Sequence, residues 1–111
     1  MSATVVSNNA EASRFEVTTN DEAAVLLYRV QLNTITFLHT EVPEKLRGRG
    51  IASKLAAAGL EYARKNGWTV VPLCSFVAGY IKRHPEYLEL VREDHRARLT
   101  GLPMGGGGPS P

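Results

Sequence analysis

Apolar and polar positions first alternate along this chain and then change period. From Arg14 to Thr19, RFEVTT, Phe15 and Val17 alternate with polar residues, which predicts a short strand with one buried face. Asn20-Asp21 signals a turn. Ala23 to Val30, AAVLLYRV, predicts a second strand, and Gln31 to Asn33 turns the chain again. Thr34 to Val42, TITFLHTEV, predicts a third strand, closed by Pro43. Links this short make the three strands an antiparallel meander. From Ile51 the period lengthens. Ile51, Ala52, Leu55, Ala58, Gly59, Leu60, Tyr62 and Ala63 form a broad apolar arc, with Ser53, Lys54, Glu61, Arg64 and Lys65 filling the rest. The arc predicts a helix from Ile51 to Asn66 lying on a sheet, with Asn66-Gly67 as its C-cap. Trp68 to Cys74, WTVVPLC, predicts a fourth strand. The strand–helix–strand order puts it parallel to the third strand through a right-handed crossover. Pro72 marks an edge position or a local break in pairing. Ser75 can cap a second helix from Phe76 to His84, which Pro85 interrupts before Pro85 to Arg98 resumes as helix. The fold class is α/β: an antiparallel meander followed by a βαβ crossover, a mixed sheet with helices packed on it.

The segments outside this pattern set the boundaries. Residues 1–13 are polar, with Asn8-Asn9, and are expected to form a loose arm. Residues 14–99 make a single domain, and residues 100–111, TGLPMGGGGPSP, a flexible Gly/Pro-rich tail. A length of 111 residues allows one modest core. The formal charge of +2 is too small to point to nucleic acid, and acids interrupt the basic stretch from Arg92 to Arg98. One cysteine permits no internal disulfide, which fits a reducing, cytoplasmic compartment. No signal-peptide pattern opens the chain, and no stretch approaches the ~20 apolar residues of a membrane span. His84 and His95 have no ligand partner at useful spacing, so no metal is expected.

The start of the first helix carries the chemistry. A helix N-terminus holds partial positive charge and favours acids or a bound anion, yet EVPEKLRGRG places Lys45, Arg47 and Arg49 there. Each such cation costs about 0.3–1 kcal/mol, a cost that reverses when a phosphate sits among them. Gly48 and Gly50 leave backbone N–H groups approachable at the same spot. The segment therefore reads either as a polyphosphate cradle or as a solvated basic loop with turn glycines. A Walker loop requires Gly-Lys followed by Ser or Thr, and Gly50 is followed by Ile51. A dinucleotide fingerprint requires a further glycine where Ser53 stands, and an acid after a strand that here ends in Cys74. A basic RNA-binding loop would want stacking aromatics nearby, and none flanks Arg47 and Arg49.

A third pattern fits. Arg47-Gly48-Arg49-Gly50-Ile51-Ala52 matches Arg/Gln-x-x-Gly-x-Gly/Ala between a strand and a helix, and so resembles the acyl-coenzyme A pyrophosphate loop of the GNAT N-acetyltransferase superfamily. HTEVPEKLRGRGIASKL (His39 to Leu55) with PLCSFVAGYIKRHPEY (Pro72 to Tyr87) resembles the small, YjdJ-like members, a GNAT domain reduced to its cofactor-binding half. The resemblance covers Arg14 to Tyr87. It implies that the third and fourth strands splay, that pantetheine pairs with Thr40, Glu41 and Val42, and that the pyrophosphate meets Arg47, Gly48, Arg49, Gly50, Ile51 and Ala52. It implies an N-acetyltransferase moving acetyl from acetyl-CoA to an amine, releasing CoA.

The residues themselves qualify that implication. Many GNAT enzymes carry an acid midway along the third strand, where this chain has Ile35-Thr36-Phe37-Leu38. Cys74 ends a parallel strand just before a helix, a position that exposes a thiol to ligands and favours its thiolate; a buried small hydrophobe is the plain alternative. The resemblance also places a cysteine there, at the active site. His39 shares a strand face with Glu41 and reads as a proton acceptor or as a hydrogen-bonded sheet residue. Tyr80 lies on the helix that supplies the family's proton donor, or packs with Phe76 and Ile81. Ser75 caps its helix and touches the cofactor. Thr19 to Ala23 leaves no room for the helices that wall the acceptor site in ordinary members. The acceptor surface is then open, suited to a protein lysine, an N-terminus or a polyamine. The competing function is a non-enzymatic acyl-CoA-binding or sensing module.

Overall fold

The computed structural model describes residues 5–19 and 22–100; the Asn20-Asp21 turn and residues 101–111 of the expected tail lie outside them. Five strands form one sheet in the order β1-β2-β3-β4-β5: Ser7–Asn9, Arg14–Thr18, Ala23–Gln31, Thr34–Glu41 and Thr69–Pro72. The first four are antiparallel neighbours. β5 returns parallel to β4, pairing Thr34 with Thr69 through Phe37 with Pro72. Helix α1, Ile51–Asn66, makes the crossover, and α2, Ser75–Arg83, follows β5. A 3-10 helix over Pro85–Leu90 and helix α3, Glu93–Thr100, complete the chain.

Alternation builds the core. Phe15, Val17, Leu26, Tyr28, Ile35 and Phe37 project from one sheet face and are buried, as are Leu55, Leu60 and Ala63 of α1 and Val77 and Ile81 of α2. Each fully buried side chain of this size contributes about 1.5–3 kcal/mol. The helix can lie this close because residue 59 is glycine: a Cβ there would stand 2.7 Å from Phe37 Cε1. Gly67, at φ 70°, closes α1 as the Asn66-Gly67 pattern predicts.

Three expectations need correction. Residues 7–12 are not a loose arm. Ser7–Asn9 pairs with β2, and Ala10–Ala12 makes a 3-10 turn capped by Asn9. Asn8 accepts a 2.7 Å hydrogen bond from the Tyr28 hydroxyl, and Asn9 donates to Glu16 at 3.1 Å, so these polar side chains are structural partners. Second, the helix expected over Pro85 to Arg98 is broken at Val91. That side chain is buried, its backbone bridges to Val70, and Arg92 N–H donates to the Val70 carbonyl at 2.9 Å. Third, Ser75 is no cap. Cys74 holds the N-cap position and no side chain there makes a capping bond.

Candidate active site

The site lies where β4 outruns β5. The parallel ladder ends at Phe37–Pro72, and the Cys74 N–H then donates to the Phe37 carbonyl at 2.9 Å before the chain turns into α2. β4 continues to Glu41, paired only with β3. A bulge sits at the point of parting. Tyr28 faces Phe37 but Leu27 faces His39, leaving Leu38 without an opposite residue. The extra residue reverses the parity of β4. Phe37 faces the core before it; after it Thr40, opposite the buried Leu26, faces the same way. Thr40 Oγ1 therefore meets Cys74 Sγ at 3.1 Å, where either group can donate. Cys74 is 6% exposed and its carbonyl accepts the first bond of α2 from Ala78.

The same alternation sends His39 to the opposite sheet face. There Nε2 lies 3.4 Å from Glu41 Oε2, both side chains more than half exposed. His39 and Cys74 are thus on different faces, and the sequence pairing of His39 with Glu41 holds. Tyr80 stacks on His84 at 4.1 Å between centroids and lies 6.2 Å from Tyr87. It is half-buried, six residues along α2 from Cys74, about 9 Å of rise.

The loop after β4 runs through Val42, Pro43 and a 3-10 turn over Glu44–Leu46, then Arg47 to Gly50. Gly48 and Gly50 hold φ of 81° and 73°, the left-handed region that a side chain would strain. No acid occupies the first turn of α1, and no side chain caps it. The first helical bond is Lys54 N–H to the Gly50 carbonyl. Among the described residues the N–H groups of Gly48, Arg49, Gly50, Ile51, Ala52 and Ser53 have no acceptor. Arg47 differs from its expected role. Its N–H is taken by the Glu44 carbonyl at 3.2 Å, and its Nε donates to the Val42 carbonyl, also at 3.2 Å. Its side chain also lines the cleft over these amides.

A cleft of about 240 Å³ opens on these amides, walled by Val42, Leu46, Ala52 and Phe76. A second, of about 430 Å³, is lined by His39, Thr40, Glu41 and Pro43, and the two share Val42 and Arg47. Phe76 packs against the core and also walls the cleft, with Arg83 over its ring at 5.8 Å. Its position two residues beyond Cys74 is the only sequence signal for this. Ser75 lines a different groove, on the far side of α2. Among the described residues no helix is long and apolar enough to cross a membrane.

A run of unpaired amides at a helix N-terminus thus opens on the gap between two parting parallel strands. The family model for the GCN5-related N-acetyltransferase matches residues 14–90. The chain belongs to the GCN5-related N-acetyltransferase family. Its family relatives include Protein NATD1 of Xenopus tropicalis, 36% identical over 89 residues, covering 76% of this chain and 82% of that protein. Protein NATD1 of Danio rerio is 34% identical over 91 residues, covering 78% and 83%. The NMR solution structure of a GCN5-like protein from Staphylococcus aureus superposes with a TM-score of 0.65 at 27% identity, covering 83% of this chain and 91% of that one. The mixed sheet and its crossover helix are thus those of a GCN5-related acetyltransferase, and an N-acetyltransferase type of function follows from the family.

Proposed function

We infer that this protein transfers acetyl from acetyl-CoA to an amine reached from the open sheet face, with Cys74 beside the reacting thioester. The observation that carries the reading is the row of six free amides from Gly48 to Ser53. Such a row fits a diphosphate, because each N–H can donate to an anionic oxygen without reorganising. Arg47 and Arg49 supply charge beside it. Thr40, Glu41 and Val42 offer a strand edge without a neighbour on the β5 side, which fits an amide-bearing chain such as pantetheine. Acetyl-CoA supplies an activated thioester carbonyl when bound.

In direct transfer, the amine nitrogen bonds to that carbonyl carbon, the carbon–sulfur bond breaks, and CoA leaves as its thiol. His39 is exposed on the face open to an acceptor, so it can accept the amine proton there. Tyr80, four residues beyond the cleft-walling Phe76 along α2, is the proton donor for the leaving sulfur in this reading. Glu41 adds negative charge for a cationic acceptor such as a lysine or polyamine. In a covalent route the Cys74 sulfur bonds to the carbonyl carbon first, the carbon–sulfur bond to CoA breaks and CoA leaves as its thiol; the amine then takes the acetyl and the Cys74 thiol is restored, with the Thr40 hydroxyl in hydrogen-bond contact with that sulfur throughout. A second reading, an acyl-CoA-binding module without turnover, is favoured by one feature: Phe37 and Leu38 stand at the bulge, and no carboxylate does.

Intact-mass measurement separates these. The protein incubated with acetyl-CoA, then with a lysine peptide or spermidine, is expected to yield acetylated amine and free CoA thiol. An acetyl adduct that Cys74→Ala abolishes and amine discharges identifies the covalent route; turnover without adduct identifies direct transfer. CoA binding with no amine acetylated contradicts the enzyme reading.

A further inference from the structure

The groove between α2 and α3 is separate from the acyl-CoA cleft and plays no part in the chemistry above. It holds about 400 Å³. Its floor is apolar and shallow: Leu73, Ala78, Gly79 and Leu99. Leu73 is a large apolar side chain left 57% exposed at its edge. Gly79 keeps the middle open, since a Cβ there would meet only Arg83 Nη1, at 3.7 Å. Lys82 and Arg98 carry positive charge at the rim. Lys82, His95 and Arg98 line it, and no Asp or Glu does. Among the described residues Lys82 and Arg98 form no ion pair; the neighbouring Arg92 spends its charge on Asp94 at 2.8 Å.

Spacing explains how the chain builds this. Ser75, Ala78, Gly79 and Lys82 recur at helical intervals along one face of α2, and His95, Arg98 and Leu99 along the facing side of α3. Small residues along α2, ending at Lys82, facing Arg98 on α3 leave a slot with a positive edge. A nucleic acid would use the charge but not the floor, and no aromatic lines the groove for a base to stack on. A peptide that presents apolar side chains inward and carboxylates at the rim uses both. We propose that the α2–α3 groove docks an acidic, leucine-bearing peptide segment of a partner protein. The proposal is independent of acetyl transfer.

The test is fluorescence anisotropy with a labelled peptide of Asp, Glu and Leu, about eight residues long, roughly 27 Å when extended. Its amide counterpart, with Asn and Gln, and a single-stranded oligonucleotide of equal length are the comparison probes. The acidic peptide is expected to bind the full chain, more weakly as salt rises. Lys82→Glu with Arg98→Glu is expected to lower its affinity at least about tenfold. Gly79→Leu, which fills the floor without touching the rim, is expected to lower it comparably. CoA affinity, unchanged in each variant, shows that the fold persists. Equal binding of the amide peptide, tighter binding of the oligonucleotide, undiminished binding by either variant, or no binding at millimolar peptide would overturn the proposal.

Discussion

Gly59 decides how closely α1 approaches the sheet. A Cβ at that position would meet Phe37 Cε1 at 2.7 Å, Phe37 Cζ at 3.0 Å and Leu26 Cδ2 at 3.2 Å. Phe37 and Leu26 are fully buried and have no space to yield, so Gly59→Ala must push α1 away. The expected loss is about 1–3 kcal/mol, read by urea denaturation, although alanine is the better helix former. Wild-type stability in that variant would mean that the ring moves freely. The same residue scale holds the least legible part of the site. The meeting of Thr40 with Cys74 depends on a parity change at Leu38, and nothing about a leucine between Phe37 and His39 announces a bulge. Gly48 and Gly50 were legible because only glycine takes their φ angles without strain, and the Arg47–Ala52 spacing carried the family resemblance.

At the scale of elements, the 3-10 helix after α2 is tied to α1 through one phenol. Tyr87 donates to Glu61 Oε2 at 2.7 Å, and Arg64 lies over its ring at 5.0 Å. Burial, then the hydrogen bond to Glu61 and its negative charge, push the Tyr87 pKa up from 10.0 to about 12. The neutral phenol is the native form, so its contribution is intact below about pH 10, where the unfolded chain ionises, and is lost as pH rises through about 12. Stability measured from pH 9 to 12 is expected to fall across that window, less steeply in Tyr87→Phe. That variant itself should lose about 0.5–1.5 kcal/mol at neutral pH. An identical alkaline slope in both proteins would mean that Tyr87 does not set it. Strand and helix limits were readable to within a residue or two, because period-2 and helical spacings are local. The strand at Ser7–Asn9 was not. Its asparagines read as loop residues until Tyr28 and Glu16 are brought to them by the fold. The interruption at Val91 was hidden for a similar reason: its bridge to Val70 is distant in sequence.

Across the whole molecule, helices α1 and α2 pack on the core face of the sheet. On the other face Val25 and Leu27 are half-buried, while Arg29, His39 and Glu41 are exposed. The short link from β2 to β3 accounts for this, since no helix intervenes between them. In the proposed reaction an acceptor meets a surface, not an enclosed pocket, and its charge should matter more than its shape. Glu41→Lys is expected to raise the KM for spermidine severalfold while leaving CoA affinity unchanged, and the difference should shrink at high salt. A KM unmoved by that reversal would place the acceptor elsewhere.

In the proposed function the amides from Gly48 to Ser53 hold the diphosphate of coenzyme A. Amide-resolved NMR titration tests it most directly. Addition of CoA is expected to shift the N–H resonances of Gly48, Gly50, Ile51 and Ala52 saturably and most strongly in the chain, with pantetheine alone leaving them in place. Saturating CoA that moves other amides while these four stay fixed would contradict it.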